Sequence, residues 1–331
     1  MAADVSLEIL DLRHFAAPML RPLLEAESEV WRERLHWDYR ASARLLMQYI
    51  DSHMLPGYAA LDSGQITGYA FCVYEETKAV IGDVFALPGI SVPHGTNTSQ
   101  SAGEIEVTLL RHLLETLVNS PQVDRIESQL LLHPSGTHAE EFRAAGFRLY
   151  PRLFMVQPLS SQYTPPNPEL AEPFELRAWR EEDMNAASRL ISEAYHAHPD
   201  SLINDQYHSV HGSLRFLHNI VHYAGCGAFS PMASHVIAER GSRELVGLVL
   251  GSRVSAESGH ITQLCVHPNH RRKGLARLLL ASAAAQFLRQ GVSEVSLTVT
   301  EANRDAVTLY ESEGYSSRHR FDAAVWRRDE E

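Results

Sequence analysis

The spacing of apolar positions predicts alternating strands and helices through the second half of the chain. Residues 174–180 read as a strand, and 181–196 carry apolar residues at helical spacing behind three acidic side chains, which favour a helix N-terminus. A second helix is predicted over 213–223. Two strands follow, 235–239 and 245–252, joined by the turn Arg240-Gly241-Ser242. The order then runs strand 261–266, helix 275–290, strand 295–300, helix 304–313 and a closing strand near 323–327. This predicts a mixed, mostly antiparallel sheet with helices on both faces.

The first half echoes that layout. Residues 8–13 (EILDLR) parallel 175–180 (ELRAWR), and each precedes a long amphipathic stretch. Further on, 142–147 (FRAAGF) parallel 310–315 (YESEGY), at offsets that agree to within a residue. Between the halves lies SSQYTPPNPELAEP, whose four prolines mark an extended connection. The expected organisation is an N-terminal domain over 1–159, a Pro/Ser-rich linker over 160–173 and a C-terminal domain over 174–331.

Composition narrows the class. The 331 residues are 44% hydrophobic, enough for two ordinary globular domains. A formal charge of −12 argues against general nucleic-acid binding and against an anionic membrane surface. The three cysteines, Cys72, Cys226 and Cys265, are unpaired in spacing, as expected of reduced thiols in a cytoplasmic protein. No basic-then-apolar leader opens the chain, and no apolar run approaches the ~18 residues of a spanning helix.

Against that acidic background, residues 270–280 (HRRKGLARLLL) reverse the local charge. Arg271, Arg272, Lys273 and Arg277 surround Gly274 and Ala276 where a turn becomes an apolar helix, directly after the strand sequence HITQLCVHP. Backbone N–H groups at a helix N-terminus, flanked by cations, suit a phosphorylated ligand. Gly274 and Ala276 leave room for close approach to the backbone around Leu275.

Arg271-x-x-Gly274-x-Ala276 resembles the acyl-CoA signature of the GCN5-related N-acetyltransferases (the GNAT superfamily). Asn303, Leu309-Tyr310 and Gly314-Tyr315 follow in order and resemble the family's second signature. The resemblance implies two tandem acetyltransferase folds and acetyl-CoA as acyl donor, with a primary amine as acceptor. It also implies donor contacts from Leu264, Cys265 and Val266, whose backbone would pair with the pantetheine arm, and from Arg271, Arg272, Lys273, Gly274, Leu275, Ala276 and Asn303. Tyr310 is the implied general acid, and Asn303 is equally a candidate helix cap.

The base is less defined. Gln263 stands where many relatives carry a glutamate, which leaves His260 and Glu257, with His218 and His222 as further candidates. Residues 196–207 are the implied acceptor wall, where Asp200 and Asp205 either pair with an ammonium or cap helices. No metal is expected, because neither Cys265/His267/His270 nor His196/His198/His208/His211 has a familiar zinc spacing. The first half keeps the layout but not the chemistry. Its loop candidate at 100–105 carries Glu104 and Ile105 where a diphosphate needs open backbone, and Ser135 and Phe142 stand opposite Asn303 and Tyr310.

The tandem layout resembles that of mycothiol synthase, and the second signature is similar to ribosomal-protein N-terminal acetyltransferases. Both a small-molecule amine and a peptide N-terminus are therefore open as acceptors. An acyl-CoA-binding module without turnover is the alternative from another class.

Overall fold

A computed structural model describes residues 7–88, 101–160, 170, 173–196, 198–223, 225, 227–242 and 244–328. Two compact units emerge. The first comprises residues 1–35, 39–151 and 321–331, and the second comprises 36–38 and 152–320. The expected cut at 160–173, most of which lies outside the described residues, is therefore drawn differently in space. Residues 152–158 belong to the second unit and 321–327 to the first.

In the first unit the order is β1 (Glu8–Asp11), α1 (Ala17–Leu35), α2 (Arg40–Asp51), β2 (Gly57–Asp62), β3 (Gln65–Glu75), β4 (Lys78–Ala86), α3 (Ala102–Val118), β5 (Arg125–Gln129), α4 (Ala139–Ala144) and the start of β6 (Arg148–Pro158). Strands β1 to β4 pair antiparallel in sequence order, while β4 and β5 are parallel. Alternating burial decides which helices cover which face. Leu20, Leu24, Leu46 and Ile50 of α1 and α2 pack with Tyr69 and Phe71 of β3. Leu109, Leu113 and Leu117, spaced by four on α3, pack on the other face with Ile81 and Ile126.

The second unit repeats this plan. Its elements are β7 (Phe174–Ala178), α5 (Met184–Ala194), α6 (Pro199–Ile203), α7 (Val210–His222), β8 (Ala228–Phe229), β9 (His235–Glu239), β10 (Leu245–Arg253), β11 (Ser258–Val266), α8 (Leu275–Arg289), β12 (Glu294–Thr300), α9 (Arg304–Ser312) and the start of β13 (Ser316–Arg327). The helix expected over 181–196 is a short 3-10 turn, Glu181–Asp183, followed by α5. The sheet runs β7-β9-β10-β11-β12, antiparallel except for the β11·β12 pair. Residues 152–158 of β6 then pair antiparallel with β12.

Leu190, Ile191 and Leu217 of α5 and α7 cover one face, with Cys265 turned towards them. Leu279, Ala283 and Phe287 of α8 cover the other, with Ile261, Val295, Leu297 and Tyr310. Phe287 lies so close to the sheet that a Cβ added at Gly251 or Gly259 would meet its ring at 2.8 Å. These bare positions seat α8 and so set where its N-terminus points. Truncating Phe287 would remove about 3–5 kcal/mol of packing.

Candidate active site

The parallel strands β11 and β12 part company along their length. Pairing runs from Ser258↔Glu294 to Ile261↔Leu297 and stops, although β11 continues to Val266 and β12 to Thr300. A β-bulge marks the parting, since Ile261 opposes Gly251 and Gln263 opposes Leu250, leaving Thr262 as the extra residue. Such a bulge re-aims the side chains that follow it. Ile261 before it faces α8, whereas Gln263 and Cys265 after it face α5 and α7. The result is a splayed pair with a length of β11 backbone facing the gap.

The loop after β11 ends the gap with an open helix. Arg272 and Gly274 both take left-handed backbone, at φ 63° and 79°. Gly274 is the residue before α8, contributes no side-chain cap, and has no atom within 4 Å of where a Cβ would stand. The first N–H groups of α8, from Leu275 and Ala276, are therefore left without a side-chain cap beside open space, the arrangement that attracts phosphate. Arg272 and Lys273 are exposed next to it.

Two of the four cations of this loop have structural duties. The Arg271 guanidinium donates to the Ala194 carbonyl at the end of α5 (2.7 Å) and to the Val266 carbonyl (3.4 Å). Arg277 bridges to Ser312 (2.8 Å) and Glu313 (3.3 Å), tying α8 to α9. The phosphate contacts expected of Arg271 thus compete with protein carbonyls for its donors.

Across the gap, residues from four elements converge. Asp200, in the first turn of α6, accepts a hydrogen bond from the Thr300 hydroxyl at the end of β12. His198 accepts the Asp200 N–H at its Nδ1 (3.1 Å), and its Nε2 lies 3.2 Å from Asn303 Nδ2. Tyr195 and Tyr207 stack at 4.3 Å. Their hydroxyls donate to the Leu264 carbonyl and the Gln263 side chain, each at 3.4 Å. Tyr310 on α9 is buried, and burial raises its pKa, the negative charge of Asp200 adding to the shift while Arg152 opposes it. Cys265 is a neutral thiol, pushed up to about 12 by burial.

Several expectations change. Asp200 and Asp205 are not caps, because His198 and Asn204 occupy those positions. Asp205 opens the 3-10 turn Asp205–His208. Asn303 does cap α9, accepting from the Ala306 N–H at 3.3 Å, and its amide nitrogen also approaches His198.

His260 is at odds with the role of base. Its ring is enclosed by Trp37 at 4.9 Å and Phe154 at 6.1 Å, and burial drives its pKa down to about 3. Ser296 spends its hydroxyl proton on the Gly259 carbonyl, so His260 Nδ1–H donates to Ser296 Oγ at 2.9 Å. Glu257 fails on distance. It is exposed in the turn before β11, six residues from Gln263 and hence about 20 Å away along an extended strand. His218 and His222 lie together on α7, with ring centroids 4.3 Å apart.

Residue reading overlooked Arg152, Thr300, Tyr195 and Tyr207. Arg152 is 9% exposed; its Nη2 donates to Thr298 Oγ1 at 3.3 Å, while its Nε is buried with no partner. Tyr207 at least fell inside the segment singled out as the acceptor wall.

Residues 175–315 match the model of the acetyltransferase (GNAT) family. The match covers less than half of the chain. An acetyltransferase from Photorhabdus laumondii subsp. laumondii is 32% identical over 79 residues, 23% of this chain. The chain spans about half the length of that curated relative, 55%. Among solved structures, a GCN5-related N-acetyltransferase from Sphaerobacter thermophilus aligns over 97% of this chain and 95% of its own, with a TM-score of 0.64 and 18% identity. A tandem GNAT protein from the clavulanic acid biosynthesis pathway aligns over 97% and 98%, with a TM-score of 0.60 and 14% identity. At those identities the likeness is one of fold, a tandem GNAT architecture.

The first unit has the same framework with its openings filled. Strand β4 bulges at Gly82, between Ile81 opposite Cys72 and Asp83 opposite Phe71, and its parallel pairing with β5 stops at Ile81↔Ser128. Beyond that point the Val84 carbonyl takes the His133 ring (2.8 Å) and the Ala86 N–H donates to Glu106 (3.2 Å). At the head of α3, Ser101 and Glu104 form a capping box. Gln100, at the start of the expected loop, lies outside the described residues, as does Cys226. The helix cap corresponding to Asn303 is His138, not Ser135, and Phe142 is core.

Proposed function

We propose that the second unit transfers an acetyl group from acetyl-CoA to a primary amine, and that the first unit is a degenerate copy without a donor site. The observation carrying this reading is the splayed β11·β12 pair, which opens onto the uncapped N-terminus of α8 and borders the Asp200–Tyr310 cluster.

In this reading the N–H groups of Leu275 and Ala276 hold the pyrophosphate, with Arg272 and Lys273 alongside. The backbone of Leu264–Val266 pairs with the pantetheine arm and steadies negative charge on the thioester oxygen. Asp200 holds the acceptor's ammonium, which gives up one proton to solvent before attack, and then orients the neutral amine.

Tyr310 faces the leaving sulfur. Its pKa lies above the ~8.5 of a thiol, so outright proton loss to the thiolate runs uphill. Tyr310 therefore stabilises the thiolate as a hydrogen-bond donor. It delivers its proton only as it regains one from the acylated amine.

The test is a calorimetric titration of the full chain with acetyl-CoA. One site per chain, lost in Gly274→Glu, is expected, because the substitution puts strain and negative charge at a left-handed, open position. Two sites would overturn the degenerate reading of the first unit, and no binding would overturn the donor. Tight binding without turnover across primary amines and peptide N-termini would favour the acyl-CoA-binding module.

A further inference from the structure

The two side chains that fill the splay of the first unit, with His138 beside them, set three potential ligand atoms around one point. Glu106 lies in α3, His133 follows β5, and His138 precedes α4. His133 Nδ1 and His138 Nε2 are 3.3 Å apart, and each is 3.8 Å from Glu106 Oε2. These three separations define a point about 2.1 Å from every donor atom, which is the length of a zinc–imidazole or zinc–carboxylate bond. The triangle's shortest edge matches the spacing of ligands around a tetrahedral ion, so little movement is needed to close on it.

Outer contacts orient His133 and Glu106 inward, while His138 Nδ1 is buried without a hydrogen-bond partner. The Val84 carbonyl accepts the Nε2–H of His133, which fixes the tautomer with the Nδ1 lone pair facing His138. The Ala86 N–H engages Glu106 Oε1 and so presents Oε2. Ligating histidines and carboxylates are held by such secondary hydrogen bonds. A single proton can lie between the two imidazoles, and 3.8 Å is too long for either to hydrogen-bond Glu106 Oε2. The three residues are among the less accessible of the unit, with His138 5% exposed.

We propose that Glu106, His133 and His138 bind a zinc ion in the first unit, with a fourth position left for water. The ion would pin α3 and the segment between β5 and α4 to the free end of β4. It would occupy the gap that in the second unit stays open. This differs from the absence of metal expected from sequence, which rested on the spacings of Cys265/His267/His270 and His196/His198/His208/His211 and did not reach Glu106, 27 residues before His133.

The test uses the full chain, stripped with EDTA and titrated with zinc sulfate against a chromophoric chelator. One tight equivalent per chain is expected, weakened about 100-fold or more in Glu106→Gln and in His138→Asn. Tight binding unchanged in both variants would assign the zinc to other histidines and overturn the proposal, as would no tight binding. Should a variant misfold, cobalt(II) added to the wild-type chain decides the matter. Intense visible bands of a four-coordinate ion are expected, and the weak spectrum of hydrated cobalt would refute the site.

Discussion

Replacing His260 with asparagine tests whether this buried imidazole is structural. Asparagine keeps a donor for Ser296 Oγ, fits within the space between Trp37 and Phe154, and does not titrate. In the folded chain the His260 pKa is about 3 against an ordinary 6.5. The unfolded chain therefore takes up its proton first as the solution is acidified. The stability held by the neutral form is complete above pH 6.5 and is lost as pH falls towards 3. Each pH unit within that window costs ~1.4 kcal/mol, so between pH 7 and 4.5 the loss is about 2.5 kcal/mol.

Urea unfolding of wild type and His260→Asn at those two pH values reads the difference. The variant pays a packing cost of about 1–3 kcal/mol at both, which cancels in the comparison. The expected result is that wild type loses about 2.5 kcal/mol more than the variant on acidification. Equal losses would show that His260 titrates normally and is open to solvent. That outcome would restore it as a base.

Tyr310→Phe should lower kcat at least about tenfold and leave acetyl-CoA affinity nearly unchanged, since a hydrogen bond to a charged sulfur is worth about 1.5–3 kcal/mol; an unaltered kcat removes Tyr310 from the reaction. Asp200→Asn keeps an acceptor for the Thr300 hydroxyl and should raise KM for a cationic acceptor roughly tenfold with little change in Tm; a lower Tm at constant KM would make Asp200 a purely structural group. Ser101→Ala removes the capping box of α3 and should cost about 1 kcal/mol, lowering the Tm of the first unit by roughly 2–4 °C in a thermal melt. No shift would mean that the head of α3 is frayed in solution.

Much of the fold was legible because its signals are local. Strand β9 falls at 235–239 as predicted, and α8 and α9 begin where Gly274 and Asn303 stop the preceding chain. The charge reversal at 270–280 and the glycine within it are contiguous, so the candidate donor loop could be read directly. The acceptor side could not. Thr300 meets Asp200 across 100 positions and Asn303 approaches His198 across 105, and no periodicity encodes such pairs. His260 misled because a histidine's type does not reveal whether aromatic rings enclose it.

The order of elements, the duplication and the charged turn before α8 are written locally in the chain, because each depends on neighbours within a few turns. What those elements do depends on which distant segments meet. Arg152 precedes the linker in sequence yet sits in the second unit, because residues 152–158 pair with β12. A bulge of one residue, at Thr262 in one unit and Gly82 in the other, opens the same gap in both sheets. In one unit that gap faces open backbone, and in the other His133 and Glu106 have taken it. Hydrogen-bonding capacity at a strand edge is a property of what packs against it, and that is settled only when distant segments meet.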